Sequence, residues 1–104
     1  MLFKPKHKEM ILAGSKTVTR RVWKRPMVKI GGIYKAKLKM LSKDFFAKIK
    51  VTNLFKQRLG NITFEECKKE GYDSKPKFID TWAKINGSWR EDLIVYVIEF
   101  EVVK

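Results

Sequence analysis

The sequence predicts a single α+β domain, a curved sheet or small barrel with flanking helices. Three observations carry that expectation. The chain has 104 residues, 44% of them hydrophobic and 12% aromatic, enough for one core and too few for two. Apolar residues alternate with polar ones, mostly lysines, over Tyr34 to Met40 and again over Ala47 to Thr52, the period of half-buried strands. Between these strands and the apolar C-terminal segment lie two stretches that begin with helix-capping residues and end in glycine. No repeat, low-complexity tract or linker interrupts the chain, so residues 1–104 read as one unit.

Taken in order, Leu2 and Phe3 read as a short opening strand. Pro5 suits the first turn of a helix, and His7, Met10, Ile11 and Gly14 follow at helical spacing, with Gly14 as the stop. Thr17 to Trp23 is rich in β-branched residues and predicts a strand, followed by a basic turn at Lys24-Arg25-Pro26 and another at Lys29-Ile30-Gly31-Gly32. In the next strand Tyr34, Ala36, Leu38 and Met40 face inward and Lys35, Lys37 and Lys39 outward. Ala47, Ile49 and Val51 then point inward with Lys48, Lys50 and Thr52 outward, which predicts an antiparallel hairpin. Its two lysine rows repel one another unless an anion neutralises them. Thr63-Phe64-Glu65-Glu66 is a capping box with Ile62 and Cys67 as its staple, predicting a helix to Gly71. A further helix from Ser74 to Asn86-Gly87 lines up Phe78, Ile79, Trp82 and Ile85 on one face. Leu93 to Val103 reads as the last strand, central at its apolar end.

Charge narrows the function. The chain carries 24 Lys+Arg against 11 Asp+Glu, a net +13, and the whole excess lies in residues 1–52. Such a one-sided field attracts polyanions by counterion release, and nucleic acid is the commonest such partner of a folded domain; a lysine-rich thermophile surface is the plainer alternative. No apolar run reaches the roughly 18 to 20 residues of a membrane span, and the start lacks a signal-peptide pattern, so a cytoplasmic protein without a membrane partner is expected. One cysteine, Cys67, and one histidine, His7, exclude an internal disulfide and a Cys/His zinc site, and neither a metal nor a cofactor is expected. Cys67 reads as a small core residue, and His7 as a helix-surface or packing residue in preference to a general base.

The densest chemistry lies in Gly14-Ser15-Lys16-Thr17-Val18-Thr19-Arg20-Arg21. Glycine allows close backbone approach, the cations neutralise anionic oxygens and threonine hydrogen-bonds, so the segment suits a phosphate or a polar heterocycle. It reads equally as a helix cap running into a polar surface strand. Trp82 falls in the helical stripe and reads as core. Trp23 beside Lys24 and Arg25, and Trp89 beside Arg90, are either base-stacking platforms or packing residues.

Together, Phe3-Lys4-Pro5, Ile11-Leu12-Ala13-Gly14, Lys16-Thr17-Val18-Thr19-Arg20, Ile30-Gly31-Gly32-Ile33-Tyr34, Glu70-Gly71-Tyr72 and Val95 to Phe100 resemble the signature of the ASCH family, within the PUA-like superfamily. The resemblance covers almost the whole chain. It implies a β-barrel of about five to six mostly antiparallel strands with two to three flanking helices around a cleft that binds RNA or a nucleotide-like ligand. Under that reading the cleft centres on Gly14-x-Lys16-x-x-Thr19-Arg20. Lys16, Arg20, Arg21, Lys24, Arg25, Lys35, Lys37, Lys48, Lys50, Trp23, Trp89 and Arg90 are the expected nucleic-acid-binding residues of a monomer.

The alternative is an enzyme. The chain also resembles the family's small N(4)-acetylcytidine amidohydrolases, and by that similarity Lys16 is the base, Thr19 the nucleophile and Glu70 the proton carrier or orienting acid. Because Lys16 and Thr19 are three apart, they share a site only if Lys16 lies in the turn before the strand begins. RNA cleavage, raised for relatives, is a third expectation and lacks the usual pair of histidines. Salt separates the first two, since phosphate-led binding weakens as salt rises and capture of a neutral nucleoside does not.

Overall fold

A computed structural model describes all of residues 1–104. Helix α1 (Pro5–Ala13) starts with proline in its first turn and ends on Gly14, whose left-handed φ of 81° lets its N–H close back on the helix. Strands β1 (Val18–Arg21) and β2 (Ile33–Ala36) are short, β3 (Ala47–Arg58) and β4 (Ile94–Val103) long. A 3-10 turn over Leu59–Asn61 leads into α2 (Phe64–Lys69) and α3 (Lys75–Asn86). No helix is long and apolar enough to cross a membrane.

The four strands form one antiparallel sheet in the order β1-β4-β3-β2. This corrects the five to six strands expected. The predicted strand over Tyr34 to Met40 stops at Ala36 because its partner β3 begins at Ala47, directly opposite. Beyond it Lys37 turns its ammonium to the Ser42 carbonyl at 2.9 Å, and Leu38, Met40 and Leu41 stand exposed in the loop. The opening segment makes a single parallel bridge, Leu2 to Lys37, in place of a strand. That bridge nonetheless links the two sheet edges, since the Leu2 carbonyl also accepts from Arg21 of β1 at 2.7 Å. The result approaches a barrel with four strands.

β3 runs past its predicted end at Thr52 because a bulge between Val51 and Asn53 shifts the register by one residue and lets pairing with β4 continue to Arg58. Three apolar clusters fill the interior. Phe3, Ile11, Ala36, Ala47, Ile49 and Phe100 join α1 to the sheet, while Leu59, Ile62, Cys67, Phe78, Trp82 and Val95 seat α2 and α3. Val28, Val51, Tyr96 and Ile98 close the third side.

The capping box is complete. Thr63 Oγ1 accepts from the Glu66 N–H at 3.1 Å and Glu66 Oε1 from the Thr63 N–H at 3.2 Å. Thr63→Ala is expected to cost about 1 kcal/mol, read as a lower urea midpoint at unchanged slope.

Candidate functional site

The turn that follows α1 carries the site. The N–H groups of Ser15 and Lys16 both bond to the Met10 carbonyl, and the Thr17 N–H bonds to Lys69 O at 2.9 Å, tying the turn to the end of α2. Lys16 therefore lies before β1, as a shared site with Thr19 requires, and its side chain is 2% exposed. Its ammonium donates to Val18 O at 2.9 Å, Glu70 O at 2.8 Å and Glu70 Oε1 at 3.2 Å, so all three of its protons are used.

On β1, Arg20 pairs in register with Val97 and turns toward α2. Its Nη1 donates to Glu70 Oε2 at 2.8 Å, and its Nη2 to Gln57 Oε1 at 2.9 Å and to Glu66 Oε2. Glu66 thus serves two sites, capping α2 with one oxygen and holding Arg20 with the other. Burial alone would raise its pKa, but the hydrogen bond from the Thr63 backbone and the Arg20 charge outweigh it and hold the carboxyl below its usual range. Burial lowers the pKa of Lys16; Glu70 opposes the shift, and Arg21 and Arg20 add to it.

Arg21 has no carboxylate partner. Its Nε donates to Thr19 Oγ1 at 3.2 Å, and the guanidinium lies 5.0 Å from the Phe3 ring centroid. Three cations and two carboxylates leave this cluster net positive. A cleft of about 440 Å³ opens over it, bounded by Lys16, Thr19, Arg20, Arg21 and Glu70 below and by apolar side chains from Phe3, Phe78, Trp82 and Ile85.

His7 also lines the cleft, where the sequence alone predicts a helix-surface or packing residue. The imidazole is 7% exposed and meets the Tyr72 ring edge-on at 5.5 Å. Burial, then the charges of Lys16, Lys6, Lys4 and Arg21, push its pKa down to about 3, so it is neutral at pH 7. Three buried side-chain atoms lack a hydrogen-bond partner: His7 Nε2, Arg20 Nε and Trp82 Nε1. All three belong to residues lining this cleft.

The structure thus gathers Lys16, Thr19, Arg20, Arg21 and Glu70, and leaves the other expected binding residues outside. Lys24 and Arg25 are exposed in the loop after β1, and Arg90 sits 3.4 Å from Asp92 on the far loop. Trp23 packs on Tyr96 and Trp89 on Phe78, each half-buried. Lys35, Lys48 and Lys50 project from the β2–β3 hairpin, with Lys35 and Lys48 directly opposed, while Lys37 is half-buried against Ser42.

No protein-family model and no curated protein sequence matches the chain. Solved structures do. The ASCH domain from Lactobacillus crispatus JV V101 aligns with a TM-score of 0.74 and 16% identity, over 91% of this chain and 69% of that one. Hypothetical protein PH0355 aligns with a TM-score of 0.73 and 20% identity, over 99% of this chain and 96% of that one. The ASCH protein from Zymomonas mobilis gives 0.66 and 12%, over 100% and 68% respectively. The chain therefore has the fold of ASCH-domain structures, and at these identities the likeness concerns architecture.

Proposed function

We propose that this domain binds single-stranded RNA, with one nucleobase entering the cleft and the phosphate backbone running over the basic surface of residues 1–52. One observation carries the reading: the cleft combines apolar sides with a floor that is polar and net positive. A nucleobase has the matching surfaces, apolar on its faces and hydrogen-bonding along its edge, and its phosphate supplies the missing negative charge.

The test is anisotropy of a labelled single-stranded RNA across a salt series. Contacts to about four phosphates predict a log–log slope near −3, and Arg21→Gln is expected to weaken binding about tenfold. A flat salt response, or equal affinity of the variant, refutes this mode of binding.

The second reading is hydrolysis of N(4)-acetylcytidine. It is favoured by one fact, that Lys16, Thr19 and Glu70 line the same cleft. In it the Thr19 hydroxyl attacks the acetyl carbon, its proton passes to Lys16 and on to the departing cytidine amine, and water then releases acetate from the acylated threonine. Lys16 must first shed a proton and Thr19 its bond from Arg21. Release of acetate and cytidine, lost in both Lys16→Ala and Thr19→Ala, is the result this reading requires.

A further inference from the structure

The hairpin loop after β2 presents an aromatic ring in an unusual setting. Lys35 and Lys48 stand opposite each other in register, where like charges repel. Both turn toward Phe45, with ammonium groups 5.1 and 5.9 Å from its ring centroid, within the range of cation–π attraction. The ring is 42% exposed. Its neighbour Phe46 explains why it stays out. Phe46 turns inward against Phe3, with centroids 6.4 Å apart, and its N–H bonds to Ala36 O at 3.0 Å, so it takes the inward place beside the sheet while the preceding Phe45 stays exposed.

Phe45 also forms one wall of a second hollow of about 340 Å³, lined as well by Lys8, Lys39, Ser42, Asp44 and Leu38. Leu38 lines the main cleft too, so the two hollows meet across a single exposed side chain. A strand leaving the cleft over Leu38 enters the hollow walled by Phe45, and Lys35 and Lys48 stand 5.1 and 5.9 Å from that ring's centroid without lining the hollow themselves.

We propose that Phe45 is the stacking platform for a second unpaired base of the strand whose first base occupies the cleft, with Lys35 and Lys48 taking the flanking phosphates. This rests on the RNA-binding reading above and adds a site to it. An exposed ring framed by cations suits a base with adjoining phosphates: the ring takes the base face and the cations the charge.

The experiment measures affinities for oligouridylates from about one to eight nucleotides, with heparin as a polyanion that has no bases. Phe45→Ala is expected to weaken the longer oligonucleotides about tenfold and to leave uridine monophosphate and heparin unchanged; Phe45→Trp restores the loss. Lys35→Gln and Lys48→Gln each reduce the salt slope by about 0.7. Wild-type affinity of Phe45→Ala for every length overturns the platform while leaving the cleft reading intact, and an equal loss for heparin overturns base stacking. A wild type that binds neither oligonucleotide nor mononucleotide refutes both readings together. Since Phe45 is a surface ring, thermal unfolding close to wild type checks that the variants are folded.

Discussion

Glu70→Ala is expected to destabilise the domain by about 3 to 5 kcal/mol, a large share of the roughly 5 to 15 that hold a domain of this size. Glu70 is 4% exposed and is the only carboxylate shared by Lys16 and Arg20, through Oε1 at 3.2 Å and Oε2 at 2.8 Å. Removing it leaves Lys16 with two carbonyl partners and no countercharge, and leaves Arg20 with Glu66 as its one countercharge and Gln57 as its other side-chain acceptor. The cost comes from stranding buried cations. It does not measure a net gain from the ion pairs, whose own desolvation offsets much of their attraction. Glu70→Gln keeps the shape and one acceptor and should fall between wild type and Glu70→Ala, while exposed Glu65→Gln should stay within about 0.5 kcal/mol. A double-mutant cycle of Lys16→Met with Glu70→Gln isolates the pair, with a coupling of about 1 to 3 kcal/mol expected by urea denaturation. Coupling near zero would mean that the two side chains do not meet in solution.

That cluster also shows where reading the sequence stops. Local signals were legible: the Thr63 capping box, the Gly14 and Gly87 helix ends, and the alternation of Ala47, Ile49 and Val51 all describe neighbours within a few residues. The family resemblance supplied Lys16, Thr19 and Glu70, and the structure places all three at one cleft. By residue type alone, Lys16 and Arg20 look like two more surface cations in a chain that has 24 Lys+Arg. Their burial depends on carboxylates some fifty positions away, which local periodicity does not reveal. The bulge after Val51 escaped for a related reason, because it is set by pairing with β4 and not by residues 51–53 themselves. Alternation from Tyr34 to Met40 misled in the opposite direction. A period of two marks strand potential, but a strand ends where its partner does, here at Ala36 opposite Ala47.

His7 supplies the second large effect, through pH. An unfolded histidine titrates near 6.5, and in the fold burial and the neighbouring Lys16, Lys6, Lys4 and Arg21 lower this to about 3. Above pH 6.5 both states hold a neutral ring, and its contribution to stability is fully present. As pH falls from 6.5 toward 3 the unfolded chain binds a proton that the folded one refuses, so stability falls with a limiting slope of about 1.4 kcal/mol per unit. Because one side of the cleft is open to water, a loss of about 2 kcal/mol by pH 4.5 is the expected result. His7→Gln should remove this slope between pH 6.5 and 5, a window above the range in which Glu66, held below the usual carboxylate value, protonates. The comparison is clean because the chain has no other histidine, which also lets NMR follow the ring directly. Its resonances should hold their neutral shifts through pH 5. A ring titrating near 6.5 with no difference in pH slope between the two proteins would place His7 in solvent, and the cleft would lose its neutral imidazole wall.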